Sequence, residues 1–574
     1  MTLRQAVLAL LMIANPAPAG QSVAPADLVV LDAKIVTVDP AFRTADAVAV
    51  RDGRFAAVGS TEEIRRLIGP ATRVIEGRGR TVIPGLIDTH VHALDVAVTE
   101  AVQPFVTLAS IADIQAWLRR QTTARPGDGW IWTPRVFPTR ILEGRFPTRL
   151  ELDAAAPKTP VVVDGAYAFV LNSAALTAAG ITAETPDPPG GAIVRGTDGR
   201  PTGLLRNVGS LLNRFRPAAT ATVPLDGLEA VHRRYLEAGL TSVVERGASL
   251  EGYRTYQALR EASRLHVRSA VTIRVPPARD RTEVERFLDA LPVRFNEGDA
   301  WLKVGPLKIV ADGGILIGTS SMRRPYGAGA RELYAIDDPS YKGFLTLPPE
   351  AIAGAIAAGH ARGWQMVAHV TGDAGVDVVL DAIEAAQKAH PSPDRRHTLI
   401  HAYFVHPETA ARARALGVYV DTQPAWYYKD ADALSRALGP ERLQPFIGLA
   451  SWRAAGVTVA INTDHMFGLD PDQALNPFNP FLTMGAAVTR RTESGRVVSA
   501  GEAVSREDAL RMMTIDAARF TFDEANRGSI EVGKHADLVV LTEDLMTCPP
   551  DRIRSIRAAM TLAGGRVVFE RREP

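Results

Sequence analysis

At 574 residues and 61.7 kDa, the chain would fill about four domains of roughly 150 residues, or two larger units if one is an α/β barrel. Its 46% hydrophobic and 22% charged residues exclude disorder or coiled coil as the main state, and 65 Lys plus Arg against 64 Asp plus Glu leave a charge of only +1, which disfavours nucleic acid and anionic membranes as partners. The single cysteine, Cys548, excludes an internal disulfide and a cysteine-built zinc site, so any metal must be held by histidine, carboxylate or a modified lysine.

Residues 1–19 have the layout of a secretory signal. Arg4 supplies the charge, Ala6 to Ala14 form a short apolar run, and Ala17-Pro18-Ala19 offers an A-x-A cleavage site. The run falls short of the roughly 20 residues that cross a hydrocarbon core, so export, most simply to a bacterial periplasm, is expected, with no membrane association after cleavage. From Asp27 the runs DLVVLDAKIVTVDP, DAVAVRDGRFAAVG and TRVIEGRGRTVIPG predict short strands parted by Asp-Gly and Gly-Arg turns. The tail repeats that texture in GKHADLVVLTED and SIRAAMTLAGGRVVF. Residues 20–84 and 525–574 therefore predict one small β-sandwich built from both chain ends.

An apolar strand then ends in His90-Val91-His92. On a strand, residues i and i+2 point to one side, so both imidazoles can reach one cation; a pair of hydrogen-bonded barrel histidines would give the same pattern. Residues 95–225, with DPPGG, GTDGRPTG and many prolines, read as a loop-rich insertion over the active face. Beyond it, GLTSVVE, PLKIVAD, WQMVAHV, HTLIHAY, GVYVDTQ and VTVAINTD alternate with helix-forming stretches. Apolar, β-branched strands of this kind predict a parallel sheet covered on both faces. The fold class expected over residues 85–524 is α/β, a (β/α)8 TIM-like barrel inserted into the sandwich.

Four further ligand-type residues lie at or near strand ends: Lys308, His369, His401 and Asp464. In a (β/α) barrel those ends form the active face, where residues far apart in sequence converge. A lysine inside an apolar strand is costly as a free ammonium. Carbamylation by CO2 would make it a bridging carboxylate; a salt-bridged or substrate-facing lysine is the alternative.

With these residues in hand, the chain resembles the amidohydrolase superfamily, in particular the amidohydrolase family 3 branch that includes N-substituted formamide deformylase-like proteins. The likeness runs from about Asp27 to Phe569. It is carried by VIPGLIDTHVH, PTRLELD (Pro147–Asp153), LNSAAL (Leu171–Leu176), DPPGG, LKIVADG (Leu307–Gly313), HVTGDAGVD (His369–Asp377) and GSIEVGKHADLVVL (Gly528–Leu541). The resemblance implies a metal-dependent hydrolase in which His90, His92, His369 and His401 are metal ligands, Lys308 the carboxylated bridge and Asp464 the terminal carboxylate. One or two divalent ions are expected, with zinc as the default.

Two departures stand out. Ala166-Tyr167 replaces the Gly-His that relatives often show, which puts a substrate contact in question. Thr463-Asp464-His465-Met466 replaces Ser-Asp-x-Pro, which sets His465 beside the site as a substrate contact or a packing residue. Glu245, ending GLTSVVE, is an alternative bridge to Lys308.

Water activated by the cation is the expected nucleophile. Asp464 takes its proton and returns it to the leaving group, and His401 orients the carbonyl. Trp426, Tyr427 and Tyr428 follow a strand-like run and either line the cleft or pack, packing being more common. Arg323-Arg324 fits a solvated loop better than a substrate carboxylate site. His232, His266, His360, His390, His397, His406 and His535 lack partners at any telling spacing.

The function expected is hydrolysis of a C–N bond in an amide, N-substituted formamide or cyclic amide of a small-molecule substrate. The competing readings are an ester, carbamate or amidine hydrolase and a non-catalytic binding protein, the last of which would have broken ligand positions. Oligomeric state is left open, a homo-oligomer included.

Overall fold

The computed structural model describes residues 24–124, 129–188, 190–216, 224–278 and 280–572. The expected leader, residues 1–19, lies outside the described residues. Among those described, no helix is long and apolar enough to cross a membrane.

Eight strands form one parallel sheet in chain order: Leu86–Val91, Leu240–Ala248, Arg268–Arg274, Leu302–Val310, Met366–Val370, Thr398–His401, Tyr419–Thr422 and Val459–Ile461. The sheet comes back on itself: Val91 bridges His465 in parallel, and the His92 amide donates to the His465 carbonyl at 2.8 Å. Helices such as Leu225–Glu237, Leu250–Glu261, Pro349–Ala361 and Asp373–Ala389 alternate with these strands. Their buried faces meet the strands' Val, Ile and Leu side chains in one core, so the strands are covered on both sides and read as nearly continuous apolar runs. The architecture is a TIM-type barrel.

The chain ends form two further sheets. Leu28–Leu31, Ala47–Arg51, Arg54–Gly59 and Arg73–Glu76 make a four-stranded sheet. The second, six-stranded, joins N-terminal strands to Leu538–Leu541, Ala558–Ala563 and Arg566–Glu570, with Val539 opposite Ile83 in antiparallel register. Val30, Val48, Val50 and Phe55 of the first sheet and Val82, Leu538, Val540 and Leu562 of the second share one core, which makes the pair a sandwich. Gly85 passes the chain from sandwich to barrel. A Cβ there would collide with Thr241 and Asp537, so only glycine allows the approach.

The insertion is more ordered than its composition predicts. It holds a five-stranded sheet, in the order Ala192–Arg195, Pro201–Arg206, Ala168–Leu171, Val161–Asp164 and Ile131–Trp132, with its own core of Val162, Phe169, Leu171, Leu176 and Leu205. These strands are two to six residues long, too short to show a period between their Pro- and Gly-rich turns. The Val161–Asp164/Ala168–Leu171 hairpin turns through Ala166, at φ 73°, which presents Tyr167 to the barrel mouth.

Candidate active site

A cavity of about 290 Å³ opens at the C-terminal ends of the barrel strands. His90, His92, Lys308, His369, His401 and Asp464 all line it, so the structure gathers all six expected residues in one place. The Nε2 atoms of His90 and His92 face each other at 3.2 Å, and Asp464 Oδ1 lies 3.3 Å from each. One donor atom from each of these three residues falls within 4.8 Å of the others, a grouping able to hold a cation. Asp464 Oδ1 is buried and has no hydrogen-bond partner, an expensive state for a carboxylate oxygen unless a cation or proton faces it. The donor set fits a divalent metal.

Around this trio, Lys308 Nζ approaches His90 Nε2 at 3.4 Å, and His369 Nδ1 lies 2.9 Å from His401 Nε2. His369 Nε2 donates to the Gly313 carbonyl at 3.1 Å. His401 Nδ1 lies 2.7 Å from Gln423 Oε1, whose amide nitrogen donates to Asn462 Oδ1 at 2.9 Å. With the amide so oriented, His401 carries its proton on Nδ1 and turns the Nε2 lone pair to the cavity. This is the outer-shell support that fixes the tautomer of metal-binding histidines.

Burial, first, and the charge of Lys308 hold His92 and His369 down to about 3, and burial also drives His90 and His401 well below the ordinary imidazole value. All four rings are therefore neutral near pH 7, the form that binds metal. Burial likewise pushes Lys308 down and Asp464 up, each opposed by the attraction of the other.

Buried carboxylates set the ligands in place. Asp88 accepts the amide of His90 at 3.1 Å and the Thr463 hydroxyl at 2.6 Å, tying the first strand to the eighth beside Asp464. Asp312 accepts the amides of Thr371 and Gly372, both at 2.8 Å, and so fixes the turn after His369. His401 and Asp464 adopt left-handed backbone, at φ 78° and 50°. Such φ values in non-glycine residues cost on the order of 1–3 kcal/mol each and concentrate where function demands a geometry.

The other expected residues divide. Tyr167 and Trp426 line the cavity, their rings 5.4 Å from His369 and 5.9 Å from His401. Glu245 does not: it accepts the Leu94 amide and the Tyr256 hydroxyl at 3.2 and 2.9 Å, while its neighbour Arg246 turns inward to Asp421 at 2.9 Å. Strand alternation thus removes Glu245 as an alternative to Lys308. His465 packs, with Nδ1 2.8 Å from the Tyr235 hydroxyl and Nε2 2.7 Å from the Gly468 carbonyl. Tyr427 bonds the Arg490 and Val498 carbonyls, and Arg323 is committed to Asp377 and Glu408. His360 and His397 pair with each other at 2.8 Å, and His406 meets Asp373 at 3.1 Å, all away from the cavity. Sequence reasoning missed Arg135, Phe137, Arg246, Arg274 and Phe467, which also line it. Arg274 ends a barrel strand, so the logic that found His401 would have found it.

Barrel, composite sandwich and histidine–carboxylate cluster together define a metal-dependent hydrolase. The profile of the amidohydrolase family matches residues 73–569, and the chain belongs to that family. It is 30% identical over 563 residues to an N-substituted formamide deformylase of Arthrobacter pascens, covering 95% of this chain and 98% of that one. It is 26% identical over 554 residues to the putative amidohydrolase YtcJ of Bacillus subtilis, covering 92% and 96%. In fold it is similar to an uncharacterized metal-dependent hydrolase from Pyrococcus horikoshii, with a TM-score of 0.64 at 19% identity over 91% of this chain and 99% of that one. The protein is an enzyme, an amidohydrolase acting on carbon–nitrogen bonds of small molecules, with a candidate site for a divalent metal.

Proposed function

We propose that this enzyme hydrolyses the C–N bond of an amide, N-substituted formamide or cyclic amide. The observation that carries the reading is the convergence of His90, His92 and Asp464 Oδ1, the last buried without a partner. His90, His92, His369, His401 and Asp464 would hold one or two divalent ions, zinc the default for imidazole and carboxylate. When bound, such an ion lowers the pKa of water to about 7 and polarises a carbonyl.

The chain's own groups then do the rest. Lys308, pushed by burial towards its neutral amine, can add its Nζ to the carbon of CO2 and lose a proton, which gives an N-carboxylate among the histidines. The Asp464 carboxylate accepts the proton of the attacking water and passes it to the leaving nitrogen, one carboxylate serving both transfers. His401, its tautomer held by Gln423, orients the carbonyl. Tyr167, Phe137 and Trp426 wall the cavity and exclude bulk water.

The test is metal analysis of the purified protein, alongside its turnover of N-formyl, N-acyl, cyclic amide and ester compounds with and without chelator. Chelator-sensitive cleavage of a C–N bond, restored by a divalent ion, is expected, and Asp464→Asn should lower kcat by about 100-fold or more. Bound metal with ester cleavage only would move the reading to an esterase. Absence of bound metal together with chelator-insensitive turnover would overturn the metal-site reading.

A further inference from the structure

One side of the cavity is accounted for by the histidine cluster, but its rim carries positive charge that nothing in that chemistry uses. Arg274 is the exposed last residue of the third barrel strand, in register with Lys308 on the fourth, and it lines the cavity. Among the described residues, no carboxylate or other acceptor pairs with its guanidinium. Arg135, on the insertion, lines the same cavity. It shares the single carboxylate of Asp164 with Arg216, each at 3.3 Å, so one carboxylate faces two guanidiniums and one positive charge is left over.

The remaining cavity arginine differs: Arg246 is balanced by Asp421 at 2.9 Å and buried beneath the floor. Arg274 and Arg135 act on a common region, since both draw the Tyr167 phenol down against the burial that lifts it to about 12. Leu316, Ile317 and Trp426 line the same cavity with apolar side chains, and Met466 Sδ lies 3.8 Å from Arg135 Nη1. A guanidinium is a fork of N–H donors that matches the two oxygens of a carboxylate, and an arginine without an internal partner is free to use it.

We propose that Arg274, assisted by Arg135, is a specificity-determining residue that holds a carboxylate on the substrate. The substrate class is then an N-acyl or N-formyl compound with a carboxylate near the scissile C–N bond and an apolar group beside it. This rests on the hydrolase reading above for the bond that is cut, but the anion contact is separable from it.

The experiment uses full-length, metal-loaded enzyme and two substrates that differ only in the carboxylate: N-formylphenylalanine and N-(2-phenylethyl)formamide. The wild type is expected to favour the first by tenfold or more in kcat/KM, chiefly through KM. In Arg274→Met this ratio should fall at least tenfold, and Arg274→Lys should keep part of it. The ratio is internal to each preparation, so partial misfolding does not affect it.

Calorimetric binding of 3-phenylpropionate, which has no C–N bond, supplies a readout without catalysis. It should weaken about tenfold in Arg274→Met. Chelator-sensitive hydrolysis of both formamides with a ratio near one, or a ratio the variant leaves unchanged, overturns the carboxylate contact while the hydrolase reading stands. Arg274-dependent binding of 3-phenylpropionate without cleavage of either formamide supports the contact and counts against that reading. Failure of 3-phenylpropionate to bind, together with a ratio near one, also overturns it.

Discussion

His401 shows how much of this site depends on groups that never touch substrate. Its Nδ1 is held by Gln423 Oε1 at 2.7 Å and, more distantly, by the Tyr403 hydroxyl at 3.1 Å, which turns Nε2 to the cavity, and Gln423 is itself oriented by Asn462. Gln423→Leu removes the acceptor with little change in volume. Loss of such a partner typically lowers metal affinity or activity by roughly 10–100-fold. A competition titration against a chromophoric chelator should find a loss in that range. An unchanged affinity would mean that the Tyr403 hydroxyl, 3.1 Å from Nδ1, holds the ring without Gln423. The six cavity residues themselves were legible in the sequence because each is a ligand-type side chain at or near the end of an apolar strand, where a barrel must bring it to the mouth. Glu245 was not separable from Arg246 in the same way. Consecutive polar residues on a strand buried on both faces give no alternation to read, and a slip of one residue exchanges lumen for helix shell. Gln423 gave no signal either, since an uncharged side chain after a strand looks like any turn residue.

At the scale of elements, the family motifs outside the barrel have structural roles that their letters conceal. PTRLELD is a helix start: the Thr148 hydroxyl accepts from the Glu151 amide at 3.2 Å, and Glu151 reaches back to the Thr148 amide at 2.7 Å. Asp153 of the same helix accepts the amide and hydroxyl of Ser173 at 2.8 and 2.6 Å, which docks LNSAAL onto it. Asn172 caps that second helix through the Ala175 amide at 2.9 Å. The two motifs thus brace the sheet whose hairpin carries Tyr167. This is why Arg135 escaped a linear reading and Tyr167 stood out only as a departure from the Gly-His of relatives: their places come from the tertiary fold of the insertion, not from a local pattern. Glu151 also pairs with Arg145 at 2.7 Å, and that hydrogen bond, ahead of those from Thr148, holds its carboxyl down to about 2. A folded pKa below the unfolded value of about 4.3 stabilises the native state fully above that value. The contribution is lost as pH falls towards 2. Discounted for the partly exposed pair, it is about 1–2 kcal/mol. Urea denaturation of wild type and Glu151→Gln should differ by that amount at pH 7, and the gap should narrow steadily between pH 5 and 3. A gap independent of pH would assign the effect to packing.

At the scale of the whole molecule, a buried ion pair helps to join sandwich and barrel. Arg268, which begins the third barrel strand, meets Asp537 of GSIEVGKHADLVVL through two contacts at 2.7 and 3.0 Å. Asp537 also accepts the Gly564 amide at 2.7 Å, and its carbonyl takes the Gly85 amide at 2.9 Å, immediately before the strand that carries His90 and ends one residue short of His92. The Arg268 guanidinium lies 4.3 Å from the Trp301 ring, so its charge is enclosed on several sides. Charges buried in this way are stabilised mainly by each other. Removing one leaves the other unpaired at a cost of about 3–5 kcal/mol, whereas replacing both with apolar groups is often nearly neutral. Arg268→Met should therefore lower the calorimetric Tm by several degrees, and Arg268→Met/Asp537→Leu should recover most of the loss. Because Gly85 leads directly into His90 and His92, the single variant should also bind divalent metal more weakly, with the double variant again closer to wild type. If the double variant instead falls as far as the sum of the single ones, the pair acts as two independent anchors, and the junction owes its order to the Asp537 backbone bond with Gly85.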